Sequence, residues 1–234
     1  MKITVKTSMM LISSLLLLLS APTWAKNYVI GVESINYFPL YSGKGNSYTG
    51  YARELFDEFG KAGGHTFTYK PMPVKRLVSE YVAGSFDFKF PDNAKWATES
   101  KKNFKVIYSD SAVEYIDGVM VLPENKGVTL NKLKKIGTFR GFTPWVYMDQ
   151  INNGSLKVSE SDSLQSLVSL TGAKRVQGAY FNVVVARYYM KNLLKKPGYL
   201  LFNESLPHTR DHFSLSSIKH PKVIEEFNGF LKSH

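Results

Sequence analysis

Hydrophobic and polar positions follow two different periods in the first part of the chain. Short apolar runs and period-two alternation predict strands, whereas apolar positions on one face of a 3.6-residue period predict helices. The predicted strands are residues 28–32, 65–70 and 86–90, and the predicted helices are residues 50–62 and 71–83. Gly63 and Gly64 end the first helix, and Pro91 is predicted to end the third strand. This alternation is typical of a parallel sheet with helices on its faces.

The second half of the chain repeats this order. The predicted strands are residues 106–108, 118–122, 135–139, 175–181, 199–202 and 212–217, and the predicted helices are residues 130–134, 144–151, 163–170, 182–194 and 221–232. Two sets of this kind predict an α/β protein with two lobes joined by more than one crossover. We expect residues 26–116 and 205–234 to form lobe I and residues 117–204 to form lobe II. The strand ends would then face a shared crevice, where α/β folds bind ligands, and residues 84–102 would form one wall.

The first 25 residues have the pattern of a secretory signal peptide. Lys2 and Lys6 precede an apolar run at 9–19, and small residues stand before a cleavage point after Ala25. The apolar run is too short to span the ~30 Å of a bilayer core, which makes a membrane anchor the minor alternative. We therefore expect an exported, periplasmic protein of 209 residues.

Charge and cysteine content narrow the function classes. The formal net charge is +11, and +9 remains after residues 1–25 are removed. A basic exported protein favours an anionic partner, but the lysines are scattered rather than gathered in a stripe, and export argues against nucleic acid. The sequence has no cysteine, so disulfides do not stabilise it. We expect a monomer whose core is rich in aromatic side chains.

Several loose motifs occur in a fixed order along the chain. They are the aromatic–Pro segment 37–39, Gly-x-Phe-Asp at 84–87, Thr-Glu-x-Lys at 98–101, Gly-x-x-x-Gly at 137–141 and Val-Gln-Gly-Ala at 176–179. In this order they resemble the bacterial extracellular solute-binding proteins of family 3, the polar-amino-acid-binding components of ABC importers. The resemblance implies a type II periplasmic-binding-protein-like fold, each lobe a mixed β-sheet flanked by helices. It also implies a small polar solute held by hinge closure and an inner-membrane ABC permease or a membrane receptor as partner.

The chain departs from that family at two ligand-binding positions. An Arg at the position of Lys101 usually holds the ligand carboxylate, and an Asp at the position of Asn182 usually holds the ammonium. Lys lacks the bidentate fork of Arg, and Asn lacks the negative charge of Asp. We therefore expect a solute that is not a standard α-amino acid, or one that is held by other residues.

Other side chains near the predicted crevice could supply those contacts. Arginines could take an anionic group, aromatic rings could stack on a flat or cationic ligand, and polar turn residues could donate or accept hydrogen bonds. Each has an ordinary alternative as a surface charge, a packing residue or a turn former, and Thr143 could also cap a helix before Pro144. These candidates are Tyr37, Phe38, Arg76, Asp92, Asn93, Trp96, Arg140, Phe142 and Thr143.

Three function classes remain open from the sequence. The first is a binding protein for an ABC importer, and the second is a ligand-sensing module that docks on a membrane receptor without transport. The third is a dehydratase-like enzyme on the same fold, which would need a cleft acid with a raised pKa; Asp92 or Glu99 would be its candidates. We expect no catalytic residue, no cofactor and no metal site. His208 and His212 have metal-ligand spacing only on a helix, and a strand is predicted there.

Overall fold

The computed structural model describes residues 26–233, which form two lobes of β-sheet flanked by helices. The strands are β1 (Lys26–Glu33), β2 (Asn36–Tyr37), β3 (Tyr41–Lys44), β4 (Ser47–Thr49), β5 (His65–Met72), β6 (Phe88–Asp92), β7 (Ile107–Tyr108), β8 (Val113–Val121), β9 (Lys135–Phe139), β10 (Lys157–Ser161), β11 (Gly178–Asn182), β12 (Leu201–Phe202) and β13 (Thr209–Ser217). The helices are α1 (Tyr51–Gly63), α2 (Val74–Val82), α3 (Thr98–Lys101), α4 (Met148–Asn152), α5 (Leu164–Gly172), α6 (Val183–Tyr188) and α7 (Pro221–Ser233). The predicted signal peptide lies outside the described residues.

Strand pairing defines the two lobes. The main sheet runs in the order β10-β9-β11-β8-β13-β6-β1-β5, with β12 beside β8 and β7 beside β13. In lobe I, β1 lies between β5 and β6 and is parallel to both. In lobe II, β9 lies between β10 and β11 and is parallel to both. Parallel pairs with helical crossovers are therefore present in both lobes, as the alternating pattern predicts.

Two long strands connect the lobes. The first half of β13 pairs antiparallel with β8, from Thr209 opposite Asp117 to Phe213 opposite Val113. The second half of β13 pairs with β6 and β7 of lobe I. Both lobes thus belong to one continuous hydrogen-bond ladder. The predicted lobe boundaries, 116/117 and 204/205, fall within β8 and just before β13, and they stay a prediction.

Apolar packing within each lobe fixes the sheets and helices around the cleft. In lobe I, Phe56 and Phe59 of α1 pack against Phe227 of α7, with ring centroids 5.5 and 5.0 Å apart. Gly64 closes α1 in the left-handed region, at φ 67°, where glycine has no steric penalty. In lobe II, Val119 and Ile136 belong to a separate buried cluster.

Three predicted segments have different bounds in the structure. α2 begins at Val74 rather than at residue 71, because Pro71 and Met72 continue β5 opposite β1. Pro91 does not end its strand: β6 extends to Asp92, which pairs with Ser214. Helix 130–134 is wrong beyond a single 3-10 turn, Leu130–Lys132.

Some elements were not predicted at all, and two predicted helices are divided into two parts in the structure. The small sheet β2-β3-β4 and strand β10 were not predicted from the sequence. The predicted helix 144–151 is a 3-10 turn, Trp145–Tyr147, followed by α4, and the predicted helix 182–194 is α6 followed by a π-helical turn, Tyr189–Leu193. Within residues 26–233, no helix combines the length and apolarity needed to span a membrane.

Candidate functional site

A cavity of about 290 Å³ lies between the lobes. β1, β6 and β9 end at or next to it, so it occupies the carboxyl-end crevice expected of an α/β fold. Its wall is largely aromatic, with a small set of ionisable groups. The aromatic side chains are Tyr37, Tyr41, Tyr81, Trp96, Tyr115, Phe142, Trp145, Tyr180 and Phe213, and the acids and lysines are Glu33, Lys89, Asp92, Glu99, Lys101 and Asp117.

The lobe I side of the wall carries two lysines and one carboxylate, all deeply buried. Lys89 Nζ donates to Asp92 Oδ1 at 3.0 Å and to a backbone carbonyl at 2.7 Å. Lys101 Nζ donates to the same Asp92 oxygen at 3.2 Å and to the Asn93 carbonyl at 2.8 Å. Ser216 Oγ donates to Asp92 Oδ2 at 2.6 Å. The largest exposed fraction among these three charged residues is 7%, at Lys101.

This group is electrostatically unbalanced. Burial would raise the pKa of Asp92, but the nearby Lys89 and Lys101 ammonium groups hold it below its usual value, so Asp92 stays ionised. Burial lowers the pKa of Lys101, against the attraction of Asp92. Two ammonium groups therefore share one carboxylate at hydrogen-bond distance, and the next acid is Glu33, whose pKa Lys89 lowers against the larger effect of burial. Each ammonium has three donors, of which two are accounted for above. A bound anion would compensate the excess positive charge.

A second pair of ionisable groups, Glu33 and Asp117, lines the cavity near the lobe connection. Glu33 accepts a hydrogen bond from the Tyr41 hydroxyl at 2.5 Å, and burial raises the pKa of Glu33 to about 7. Burial, and then the negative charge of Glu33, raise the pKa of Asp117 to about 7, while the side chain of Asn182 acts in the opposite direction. These two acids are therefore poised to change protonation state near neutral pH.

Two buried oxygens of the wall have no hydrogen-bond partner among residues 26–233. They are Asp117 Oδ1 and the hydroxyl oxygen of Tyr81. The nearest polar side chains, Asn182 for Asp117 and Ser216 for Tyr81, act on the pKa of these groups but do not reach normal hydrogen-bond geometry. Buried polar atoms are nearly always hydrogen-bonded in folded proteins. Both residues line the cavity, so an occupant could supply the missing partners.

The two lobes are in contact across the cleft. The Asn182 backbone N–H, at the start of α6, donates to the Tyr37 hydroxyl at 2.9 Å. The Tyr37 ring also packs edge-on against Phe139 and Phe142 of lobe II, with centroids 5.5 and 5.7 Å away. The structure therefore describes a closed arrangement in which Tyr37 joins the lobes.

Gly141, in the lobe II turn after β9, allows a second close contact between the lobes. Its φ is +87°, and a Cβ added there would lie 3.2 Å from Cβ of Val74 in α2. A side chain at this position would be strained by the backbone and crowded by lobe I.

The structure separates the predicted site residues into two groups. Those that line the cavity are Tyr37, Asp92, Trp96, Lys101, Phe142 and Thr143, and those outside its wall are Phe38, Arg76, Asn93, Arg140 and Asn182. Ligand contacts of both groups stay predictions.

The residues outside the wall are engaged elsewhere. The Arg76 side chain is 65% exposed and pairs with Glu80, and Arg140 forms exposed ion pairs with Glu160 and Asp162. The Asn93 amide donates to a backbone carbonyl, and the Phe38 ring packs against Tyr188.

The remaining sequence-based expectations concern Asn182, Thr143 and Asp92. Asn182 Oδ1 accepts from the N–H groups of Val184 and Val185 and caps α6. The N-cap of the turn Trp145–Tyr147 is Pro144 rather than Thr143, and the Thr143 backbone carbonyl accepts from the Trp145 N–H. Asp92 is wrong as the raised-pKa acid of a dehydratase, because its lysine partners lower its pKa.

Sequence reasoning missed Glu33, Lys89 and Asp117. All three are charged residues in strands, at or near positions where apolar neighbours predict burial. Lys89 stands between Phe88 and Phe90, and every residue of β6 is buried. A charged residue within a buried strand is the signal that could have identified them, since unpaired charges are costly to bury. Within residues 26–233, no group of three His, Cys, Asp or Glu residues is placed to hold a metal ion.

The fold of this chain was identified by comparison with solved structures. No protein-family model and no curated protein sequence matches the chain. Among solved structures, an arginine transport-system periplasmic binding protein from Legionella pneumophila is 19% identical, with TM-score 0.68, covering 89% of this chain and 93% of its own. The GluR0 ligand-binding core in complex with L-glutamate is 14% identical, with TM-score 0.72, covering 90% and 92%.

A third similar structure is an ancestral amino-acid-binding protein described as a precursor of cyclohexadienyl dehydratase. It is 19% identical, with TM-score 0.68, and the match covers 88% of each chain. At these identities the likeness concerns the fold. The two-lobed, periplasmic-binding-protein-like architecture predicted from the sequence is confirmed.

Proposed function

We propose that this chain is a periplasmic solute-binding protein that captures a small polar solute with a carboxylate or similar anionic group between its lobes. The observation that carries this proposal is the buried Lys89–Asp92–Lys101 group, whose two ammonium groups face the cavity with one carboxylate between them. The cavity lies near the lower end of the ~300–1,000 Å³ range of small-molecule sites, which favours a solute of amino-acid size. Of the proteins of this fold named above, one belongs to an arginine transport system, one is in complex with L-glutamate, and one is described as amino-acid-binding.

The expectation that the solute differs from a standard α-amino acid is part of this proposal. In the resembling family the ammonium is held by an Asp at the first turn of the helix corresponding to α6. Here that position is the neutral Asn182, whose oxygen caps the helix. An α-amino acid held in the usual way would therefore lack its counter-charge at this place.

A solute screen with paired lysine variants tests the binding site. Thermal shift followed by titration calorimetry would cover the twenty amino acids, ω-amino acids, simple carboxylates and dicarboxylates. We expect a carboxylate-bearing solute to bind, and Lys101→Gln to weaken its affinity at least tenfold. Lys102→Gln is the matched control, because Lys102 follows α3 directly, is exposed and pairs with Glu99. Equal affinity in the two variants, or no binding by any carboxylate, would refute the proposal.

Delivery to an inner-membrane ABC permease is the proposed use of the bound solute. The alternative partner is a membrane receptor that senses the closed form without transport, and the fold accommodates both. Photo-crosslinking of the ligand-loaded protein to inner membranes, followed by mass spectrometry, distinguishes them. Recovery of a permease supports transport, whereas recovery of a receptor kinase or chemoreceptor contradicts it.

A dehydratase-like enzyme is the second candidate, and one observation favours it. Glu33 and Asp117 line the cavity with pKa values near 7, a range suited to general acid–base catalysis. Prolonged incubation with each solute that binds, followed by NMR, would reveal turnover. Recovery of every solute unchanged would contradict the dehydratase-like candidate and leave the binding-protein proposal standing.

A further inference from the structure

Among the cavity-lining acids of residues 26–233, the carboxylate of Asp117 is the one with a fully buried oxygen that makes no hydrogen bond. It lies on β8, the strand shared by the two lobes, and it lines the cavity. Its Oδ1 is buried and makes no hydrogen bond of normal geometry among residues 26–233. The Asn182 side-chain amide, on the paired strand β11, lies close enough to lower the pKa of Asp117, but its Nδ2 also makes no such bond. Glu33, by contrast, already accepts the Tyr41 hydroxyl, and Asp92 already holds two lysines and Ser216.

The surroundings of Asp117 suit a cation. Among the groups that act on its pKa, Glu33 is an acid and Asn182 is neutral, and neither is positively charged. The rings of Tyr37, Tyr115 and Tyr180 line the same cavity, and the Asp117 charge contributes to raising the pKa of each phenol. Aromatic faces attract cations, more strongly where water is excluded. A cationic group is therefore the occupant that suits the part of the wall around Asp117.

The titratable and polar groups around Asp117 come from every element packed against it. They are Glu33 on β1, Tyr37 on β2, Tyr115 on β8 itself, Tyr180 and Asn182 on β11, and Thr209, opposite Asp117, with Arg210 and Asp211 on β13. Asp211 is engaged by Lys95 at 2.7 Å. Arg210 is exposed and lies opposite Ile116 rather than Asp117, and Lys89 and Lys101 pair with Asp92. A cation reaching Asp117 would therefore meet acceptors and aromatic rings.

We propose that Asp117 binds an ammonium group of the solute, so that the solute is an aminocarboxylate whose anionic end meets Lys89 and Lys101. This inference rests on the proposed function and specifies its ligand class. It moves the ammonium contact from the first turn of α6, where Asn182 is neutral, to the strand that connects the lobes. The anionic group of the solute would then pair with Lys89 and Lys101 while its ammonium group pairs with Asp117.

Proton release accompanies binding at this position. In the free protein burial raises the pKa of Asp117 to about 7, so the carboxyl is mostly protonated at pH 6. An ammonium beside it favours the ionised form, and the proton leaves to solvent. Affinity should therefore rise about tenfold between pH 6 and pH 8, the change in ionised fraction for a pKa of 7. A simple aminocarboxylate does not itself titrate in this interval.

Calorimetry with paired probes tests the assignment. The probes are the ω-aminocarboxylates from β-alanine to 6-aminohexanoate, the α-amino acids, and for each the carboxylate that lacks the amine. We expect at least one aminocarboxylate to bind ten or more times more tightly than its amine-free counterpart. Asp117→Asn should remove that advantage without weakening the binding of the amine-free carboxylate, because the substitution only removes a negative charge from the cavity wall. Glu114→Gln is the matched control, an exposed acid on the same strand, and should retain the advantage.

The outcomes separate this inference from the proposed function. Equal binding of the two probe types, or an amine advantage that persists in Asp117→Asn, would overturn the inference while leaving solute binding intact. No binding by any carboxylate would overturn the proposed function and the inference with it. Titrations at pH 6 in two buffers of different ionisation enthalpy count the protons released, and Asp117→Asn separates Asp117 from Glu33, whose pKa is also about 7. About one proton fewer released by Asp117→Asn than by the wild type supports the inference, and equal release contradicts it.

Discussion

Lys89, Asp92 and Lys101 place more charge in the protein interior than their own pairing can neutralise. Breaking a buried ion pair by removing one partner is usually severe, costing about 3–5 kcal/mol. Here the two kinds of partner are not equivalent, because one carboxylate serves two ammonium groups. The arrangement therefore favours binding of an anion, at the expense of the stability of the empty protein.

Substitutions at Asp92 and Lys101 should therefore affect stability very differently. Asp92→Asn leaves two buried ammonium groups without a counter-charge, and we expect the free energy of unfolding to fall by about 3–5 kcal/mol. Lys101→Met leaves a balanced Lys89–Asp92 pair, and should change it by less than ~1 kcal/mol or increase it. Urea denaturation at pH 7 without added solute measures both. Similar losses in the two variants would show that the three charges act as one stabilising unit.

The raised pKa of Asp117 predicts an unusual dependence of stability on pH. Its pKa is raised by burial to about 7, so the folded state holds this proton more tightly than the unfolded state. The resulting stabilisation is complete below the unfolded pKa, near 4, and is lost as the pH rises through 7.

Asp117→Asn removes that dependence. Relative to wild type, the free energy of unfolding of this variant should increase between pH 5 and pH 8, by roughly 2–4 kcal/mol. Thermal or urea unfolding at the two pH values, with Glu114→Gln as control, measures the difference. A constant offset from wild type at both values would contradict the raised pKa.

Some individual residues of the candidate site were predictable from the sequence. Trp96 and Asp92 were found because they follow a predicted strand and lie in a polar loop, and such loops border α/β crevices. Lys101 was found through the family resemblance. Lys89 and Asp117 were not found, because in a strand the face that meets the cavity depends on which strands lie beside it. That arrangement comes from long-range pairing, which local patterns do not encode.

Secondary-structure elements were predictable where local chemistry fixes both ends. Strand β9 has its predicted bounds, and α1 ends where Gly63 and Gly64 predict. Strands β2, β3 and β4 were missed because they are short, polar segments that exist through pairing with one another. Helix α2 starts later than predicted for a similar reason, because Pro71 and Met72 pair with β1 and belong to β5.

The contact between the β2 segment and α6 makes a prediction for lobe closure. Tyr37→Phe keeps the ring between Phe139 and Phe142 and removes the acceptor of the Asn182 N–H. A hydrogen bond of this kind contributes about 0.5–1.5 kcal/mol, so solute affinity should fall roughly 3–10-fold.

The control for this prediction is Tyr188→Phe. Tyr188 also lies at the lobe contact, with its ring tilted by 54° against that of Phe38 and the centroids 5.0 Å apart, and its hydroxyl makes no hydrogen bond among residues 26–233. Calorimetry with the tightest solute should show wild-type affinity for this variant. Equal losses in the two variants would indicate that the lobes meet through ring packing alone.

For the whole molecule, closure around the solute should be visible in solution. The described structure has its lobes in contact at Tyr37 and at Gly141, and a two-lobed fold of this kind opens and closes by hinge motion. Small-angle scattering should therefore give a smaller radius of gyration with saturating solute than without. Gly141→Val should reduce this change, because its side chain would meet Val74. An identical radius with and without solute would contradict hinge closure.

The ladder between β8 and β13 has a kinetic consequence. Asp117 sits on this ladder opposite Thr209, close to the axis about which two lobes joined by these strands would turn, so it is displaced least when they swing. Its carboxylate would then be ready for the first encounter, before Tyr37 and Asn182 meet. Loss of the carboxylate should slow association, whereas loss of the Tyr37 hydroxyl should shorten the residence time of the solute.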